Sequence, residues 1–373
     1  MELSDLKTIR HLIYGEILYA VAFVTLGFLC LFSFFDFVEE IQSIGRYASA
    51  GYGLVHALTF VALMLPSHLY ELLPITVLIG TIFVMARFAQ SSEFTILRTS
   101  GLGPWRALKT LMVLGIGFVL VTFAIGDYVS PAADRAGQLL KARYQGNLTL
   151  GQTGAWLKEK QQGTQYAINI SALDSNGNMR GVRIFEFDSQ GFLLSLVQAE
   201  SATYGTDNAW NLKRVQRTGF PTHGTDTARI DRTQVDNFRW PNQISAEMVS
   251  AALLKPERMS TIDLFGYIRH LDANAQSAQR YEIEFWKKVF YPLSCLVMVV
   301  LALPFAYLHF RSGTIATYVF GGVMAGISFF LLNNVFGYIG NLQNWQPWLT
   351  AALPGMIYSL LSLTAFGWLV FRR

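Results

Sequence analysis

The side chains that most often perform catalysis are scattered along this chain. Its six histidines stand at positions 11, 56, 68, 223, 270 and 309, and no H-E-x-x-H spacing brings two of them onto one helix face. The sequence has no G-x-x-x-x-G-K-[ST] phosphate loop and no serine or cysteine in a nucleophile-elbow context. We therefore predict no catalytic residue, no metal site and no cofactor in this chain.

Two other sets of reactive side chains have simpler explanations. Cys30 and Cys295 both lie in apolar segments, so they give neither a disulfide framework nor a metal-ligand spacing. The carboxylates Glu282 and Glu284 are followed closely by two lysines. This arrangement is more typical of a charged collar beside a membrane helix than of a catalytic pair.

One short segment, Ala89–Gly101, indicates binding rather than catalysis. It reads A-Q-S-S-E-F-T-I-L-R-T-S-G, with a capping serine, an acid in the first turn and a final glycine. Apolar and basic side chains recur at i, i+3 and i+4, so they share one side of a helix. We predict an amphipathic helix that fits a partner's groove; the alternative is a plain connector. The predicted contact residues are Glu93, Phe94, Leu97, Arg98 and Gly101.

Six apolar segments surround this predicted helix and indicate a membrane protein. Charged residues make up only 14% of the chain, against ~25% in soluble domains. Each segment can supply the ~20 apolar residues that a helix needs to cross a bilayer. The segments are Ile13–Phe34, Leu54–Ala86, Ala107–Gly126, Val289–Leu308, Thr314–Phe336 and Leu349–Phe371. We predict six transmembrane helices, three before and three after a polar insert.

The second segment is longer than one bilayer crossing and contains two prolines, Pro66 and Pro74. Proline removes a hydrogen bond from the helical ladder and clashes with the preceding turn. We therefore predict an interfacial or re-entrant piece before Pro66 and a separate span from about Leu72 to Phe88.

The polar insert has the pattern of antiparallel strands. Stretches rich in branched and aromatic residues alternate with turn sequences such as D-S-N-G-N. The predicted strands are Thr164–Ser171, Gly181–Asp188, Phe192–Ala199 and Ala209–Arg217. We predict helices on both sides, the second capped by Ser260 with Asp263. The fold class is thus an α+β membrane protein, with a β-jellyroll-like domain at 128–259 between helical regions at 1–127 and 260–373.

The placement of basic residues predicts the orientation. Lys7 and Arg10 precede the first apolar segment, three arginines lie between the second and third, and two end the chain. The positive-inside rule then places both termini in the cytoplasm and the insert on the other side. The net charge of +4 does not indicate nucleic-acid binding, because the basic residues do not cluster on one polar segment.

Three motifs resemble one known family. Ala89–Gly101 is similar to its coupling-helix pattern A-Q-x-S-E followed by S-G. Gly126–Pro131 is similar to the end of its third span, and Trp286–Ser294 to the start of its fourth. Together with the 3 + 3 layout, the whole chain resembles the lipopolysaccharide export permease family, and its G-type branch more than its F-type branch.

The resemblance implies a transporter in the bacterial inner membrane with a periplasmic β domain. A G-type permease pairs with an LptF-type permease, and an LptB-type ATPase dimer binds ATP and Mg on the cytoplasmic side. A single-span LptC-type subunit and a periplasmic LptA-type bridge protein complete the assembly. The complex lifts lipopolysaccharide from the outer leaflet of the inner membrane and passes it along the bridge.

The resemblance also implies a glycolipid site, with one departure from the family pattern. Family members carry basic residues soon after the first span, but Asp36–Glu40 here is acidic and Arg46 is the first cation. Lys141 matches a family basic residue after the third span. The predicted phosphate-binding rim consists of Lys141, Arg135, Arg143 and Arg46. The predicted apolar wall includes Phe32, Phe35, Phe330 and Phe336.

Other interpretations remain open from the residues alone. The chain could be the paralogous F-type subunit, a lipid-modifying membrane enzyme, or a non-transporting scaffold. A MacB- or LolC-like permease fits less well, because those proteins place the large outer domain after the first span. The basic rim residues could also serve only to anchor the protein to lipid headgroups.

Overall fold

The computed structural model describes residues 3–91, 103–145, 154–161, 163–173, 178–205, 209–221, 230–242, 244, 248–249, 255–307 and 315–371. Its helices are α1 Leu3–Tyr47, α2 Leu54–Gln90, α3 Pro104–Ala124, α4 Ser130–Gln145, α5 Thr261–Ala273, α6 Gln279–Phe290, α7 Leu293–Ala302, α8 Ile315–Leu342 and α9 Pro347–Phe371. A π-helical turn at Ile125–Val129 joins α3 to α4, and short 3₁₀ helices occupy Ala48–Ala50, Pro256–Arg258 and Leu303–Tyr307.

The inserted strands are β1 Ala155–Gln161, β2 Thr164–Leu173, β3 Met179–Phe187, β4 Leu193–Tyr204, β5 Ala209–Gly219 and β6 Asp231–Pro241. They form one six-stranded antiparallel sheet with the strands in chain order. Each strand therefore pairs with its neighbours in sequence, as in an up-and-down meander.

Several described helices are long and apolar enough to cross a membrane. There are five such helices in the described ranges, or six if the bent pair α6 and α7 counts as one span. The predicted α+β membrane class, with a sheet inserted between helices, is confirmed. The bend of 48° comes where Pro292 separates α6 from α7, so the fourth apolar segment is not one straight helix.

The described residues form two compact units. One comprises Met1–Glu39, Met64–Ala133 and Glu282–Arg373, and the other Glu40–Leu63 and Asp134–Tyr281. In the first unit, residues of α1, α2, α3 and α7 form a buried apolar cluster that includes Ile17, Val77 and Leu111. A methyl group at Gly80 would lie 2.8 Å from the Val21 backbone nitrogen, so α1 and α2 approach closely at a residue without a side chain.

The two prolines do not break the second helix. α2 runs unbroken from Leu54 to Gln90 through Pro66 and Pro74, so the predicted separation before Pro66 is wrong. A proline removes only one bond from the helical ladder, and helices in membrane proteins tolerate this where neighbouring groups compensate. The long apolar segment is therefore one helix that contributes residues to both compact units.

In the second unit, the sheet builds its core from alternating residues. Leu157, Ile168, Ile170 and Ile184 are each at most 2% exposed, as period-2 burial requires. The rings of Tyr166 on β2 and Trp240 on β6 have centroids 6.1 Å apart, so the sheet coils until these distant strands meet. The four predicted strands are present, and β1 and β6 extend the sheet at its two edges.

The predicted helix start at Ser260 is also confirmed. The Asp263 backbone N–H donates to Ser260 Oγ at 3.1 Å, and the Ser260 N–H donates to Asp263 Oδ2 at 3.4 Å. This capping box satisfies two N–H groups at the start of α5.

Candidate functional site

Lys141, the leading candidate for phosphate binding, is already paired. Its Nζ lies 2.7 Å from Glu40 Oε2 and 4.0 Å from the centroid of the Phe60 ring. Glu40 is the last residue of the acidic stretch that departs from the family pattern, and its side chain is only 3% exposed against 28% for Lys141. The extra acidic charge therefore has a local partner.

Three further hydrogen bonds hold Glu40 and the residues around it. The Tyr52 hydroxyl donates to Glu40 Oε1 at 2.7 Å, and burial together with this carboxylate raises the pKa of Tyr52. The Gly53 N–H donates to His56 Nδ1 at 3.1 Å, which leaves the proton of a neutral ring on Nε2, 2.7 Å from the Tyr144 hydroxyl. These contacts connect the end of α1, the start of α2 and α4.

The other three basic candidates are more exposed. Arg135 is 3.6 Å from Asp263 Oδ2, with its side chain 54% exposed. Arg46 donates to Gln42 one helical turn earlier at 3.3 Å, and Arg143 is exposed. All four cations belong to the second compact unit, and Lys141 and Arg143 share α4.

The aromatic candidates belong to the first compact unit. Phe32 and Phe35 lie on α1, 36% and 60% exposed, and Phe330 and Phe336 lie on α8. Phe32 packs near His68, whose Nε2 is 2.6 Å from Asp36 Oδ2. Phe330 is 38% exposed, so three of these rings leave apolar surface uncovered within this chain.

The predicted coupling residues Glu93, Phe94, Leu97, Arg98 and Gly101 lie outside the described residues. The start of that segment is described, and Ala89 and Gln90 form the last turn of α2. Ser91 Oγ donates to the Arg87 carbonyl at 3.0 Å, so this serine closes α2. Arg87 also pairs with Glu16 of α1 at 2.6 Å.

Two motifs that were separate in the sequence meet in the first unit, through Lys288, one of the two lysines that the sequence analysis assigned to a charged collar. Lys288, 7% exposed, donates from Nζ to the Gly126 carbonyl at 2.9 Å. Nearby, Thr122 Oγ1 and Cys295 Sγ are 3.2 Å apart. The π-helical turn at Ile125–Val129 thus meets the bend between α6 and α7, which Lys288 and Cys295 flank. A lysine directly before an apolar run was the available signal.

The described residues contain no group of three or more histidine, cysteine or acidic side chains that could hold a metal ion. The geometry around Glu40 and Lys141 is that of an ion pair with tyrosine support, and no serine, cysteine or histidine stands beside it in a nucleophile–base arrangement. That finding concerns the described ranges alone.

Comparisons with known proteins agree with this architecture. The family model of the lipopolysaccharide export system permease LptF/LptG matches residues 11–369. The lipopolysaccharide export system permease protein LptG of Escherichia coli K12 is 26% identical over 365 residues, which cover 96% of this chain and 97% of that protein. LptG of Haemophilus influenzae Rd is 25% identical over 372 residues, 99% of each chain. The chain belongs to the lipopolysaccharide export system permease LptF/LptG family.

Proposed function

We propose that this chain is the G-type permease subunit of an ABC-type transporter for lipopolysaccharide. It extracts the glycolipid from the outer leaflet of the bacterial inner membrane and passes it to a periplasmic β-jellyroll bridge. The observation that carries the proposal is the family match over residues 11–369, which includes both helical groups and the inserted sheet. The two curated relatives described above are both named LptG, which favours the G-type over the F-type assignment.

This chain forms part of the transport path through the membrane. Partner proteins hydrolyse ATP and carry the lipid onward through the periplasm. Because the sequence has no phosphate loop, ATP is hydrolysed by a separate LptB-type ATPase dimer. An LptF-type permease completes the membrane cavity, and an LptC-type subunit and an LptA-type protein continue the route. In this arrangement both termini are cytoplasmic and the sheet is periplasmic, as the basic residues favour.

The glycolipid meets two kinds of surface on this chain, one in each compact unit. Acyl chains lie against exposed aromatic side chains such as Phe35 on α1. Phosphates bind the basic residues, and Lys141 changes partner in the process. A phosphate group carries more negative charge than a carboxylate, so it competes with Glu40 for the ammonium group. The ion pair with Glu40 thus holds the Lys141 ammonium group in place until lipopolysaccharide binds.

Coexpression tests the assembly. Purified alone, the chain hydrolyses no ATP; coexpressed with its LptF-type partner and the ATPase, it copurifies with both, and lipopolysaccharide stimulates ATP turnover. Stable copurification without any effect of lipopolysaccharide on turnover would favour a scaffold instead. ATP turnover by the isolated chain would contradict the proposed division of labour.

Photocrosslinking tests the glycolipid contact. A photoreactive residue at position 143, exposed on the same helix as Lys141, labels lipopolysaccharide, and ATP reduces the labelling as the lipid moves on. Lys141→Arg keeps the labelling and Lys141→Met weakens it, because a charge-assisted bond to phosphate is lost. Equal labelling in both variants would show that the basic rim residues only anchor the protein to lipid headgroups.

A further inference from the structure

One row of side chains crosses the whole inserted sheet. Trp156 pairs with Asn169, Asn169 with Arg183, and Arg183 with Gln198. The register continues from Gln198 to Gln216 and from Gln216 to Gln234. Directly paired residues project from the same face of a sheet, so six strands present one aromatic, one cation and four amides in line.

Four consecutive members of this row, on β3 to β6, have side chains that do not contribute polar contacts to the described part of the fold. Within the described residues, the side chains of Arg183, Gln198, Gln216 and Gln234 make no hydrogen bond or ion pair, and all except the half-buried Gln216 are exposed. They line an open groove of about 580 Å³. Neighbouring strands are ~4.8 Å apart, so the four unused groups extend over ~14 Å.

A second row on the same face of the sheet, two residues away from the first along each strand, makes the groove lining electrically neutral. Glu200, Arg214 and Asp236 line the groove there, and Arg214 Nε lies 2.7 Å from Glu200 Oε2. With Arg183, the lining holds two cations and two anions. A strongly anionic ligand gains little from such a balance, and an acyl chain would leave the amides without partners.

The end of the row is aromatic. Trp156, on the edge strand β1, is 53% exposed, and its ring stacks on Phe185 with centroids 5.8 Å apart and planes 24° apart. Phe185 stands two residues after Arg183 on β3 and therefore faces the same side. An exposed, rigid ring offers an apolar platform beside polar groups.

We propose that this groove binds the oligosaccharide of the exported glycolipid. A sugar hydroxyl both donates and accepts hydrogen bonds, and so does each primary amide in the row. Sugar rings also have apolar faces that lie flat on an aromatic ring such as that of Trp156. The inference rests on the proposed transport of lipopolysaccharide and assigns the polar part of that substrate to the outer face of the sheet.

The test uses the full chain in detergent or nanodiscs and the soluble core oligosaccharide that mild acid releases from lipopolysaccharide. We expect saturation-transfer NMR to detect binding to the wild-type chain. Arg183→Ala and Gln216→Ala should each weaken it about tenfold, the effect of one hydrogen bond to a charged or amide group. Asn237→Ala is the matched control, an exposed amide on β6 outside the groove lining.

Three further results separate this inference from the transport proposal. Lipid A without core sugars should bind the wild type and the groove variants equally. If lipid A binds but the core oligosaccharide does not, the groove assignment is overturned while the transport proposal stands. If a soluble peptidoglycan disaccharide binds in place of the core oligosaccharide, the groove serves cell-wall glycan and the assignment is likewise overturned.

Discussion

Lys141 and Glu40 form an ion pair of 2.7 Å in which the acid is almost fully buried and the base is not. Removing the base leaves a buried carboxylate whose charge is uncompensated, and this costs more than removing both charges. The pair therefore contributes to the stability of the contact between the end of α1 and α4, independently of its role in lipid binding.

We expect Lys141→Met to lower the free energy of unfolding of the purified chain by about 2 kcal/mol, reduced from the fully buried case because Lys141 is partly exposed. The double variant Lys141→Met/Glu40→Gln should be more stable than Lys141→Met alone. Arg143→Met, an exposed neighbour on α4, should change stability by less than about 0.5 kcal/mol. Denaturation in detergent measures all three; a double variant less stable than the single would contradict the account.

Gly80→Ala should destabilise the helical unit by about 1–3 kcal/mol, as overpacking does in a dense core. The added methyl group would meet the backbone of Val21, which no change of rotamer can relieve. Gly117→Ala on α3 is the control, because nothing lies within 4 Å of the added carbon. Thermal unfolding in detergent compares the two, and equal melting temperatures would show that α1 and α2 are not closely packed there.

Burial lowers the pKa of His270 on α5, which makes stability depend on pH. Between this lowered value and the unfolded value of about 6.5, the unfolded chain binds more protons than the folded chain. The stabilising effect of the neutral ring is therefore present above pH 6.5 and is lost as the pH falls through the lowered pKa.

The melting temperature of the wild type should thus fall between pH 7.5 and pH 5, and His270→Leu should reduce this fall. His11→Gln, which changes an exposed histidine, should leave the fall as it is in the wild type. An identical pH dependence in the wild type and His270→Leu would rule out His270 as its source.

Reversing one charge in the predicted coupling segment should separate transport from folding. Glu93→Lys places like charges together if Glu93 faces a basic group of the ATPase, and losing a desolvated charge pair costs about 2–5 kcal/mol. Membrane levels should stay normal while ATPase binding is lost. Lys109→Glu, which reverses an exposed charge on α3 outside the Ala89–Gly101 segment, is the control. Normal growth and lipopolysaccharide export in Glu93→Lys cells would assign the segment to a connector.

The sequence predicts the individual helices and strands of this fold better than it predicts how they continue and pack together. The alternation in β2 to β5 and the S-x-x-D signature at Ser260 are local signals, and both predictions are confirmed. β1 and β6 were not predicted because they are rich in polar residues. In D-R-T-Q-V-D-N of β6 the residues of both faces are exposed, so no alternation of buried and exposed positions marks the strand. The continuous helix through Pro66 could not be predicted, because a proline's local preference says nothing about compensating neighbours.

The candidate site shows the same division. Lys141 was singled out by its match to the family, but its pairing with Glu40, 101 positions away, depends on how α1 meets α4. The row from Trp156 to Gln234 depends on strand register. A shift of one residue in any strand would move its member to the other face, so the row appears only once the pairing is known.

We propose that this chain is the lipopolysaccharide-exporting permease subunit and that a separate ATPase drives it. The most direct measurement is transfer of lipopolysaccharide from proteoliposomes to a soluble LptA-type bridge protein, with this chain, its LptF-type partner, the LptC-type subunit and the ATPase reconstituted together. We expect transfer that requires ATP and disappears when this chain is omitted. Transfer at an undiminished rate without the chain, or none with the complete and ATPase-active complex, would contradict the account.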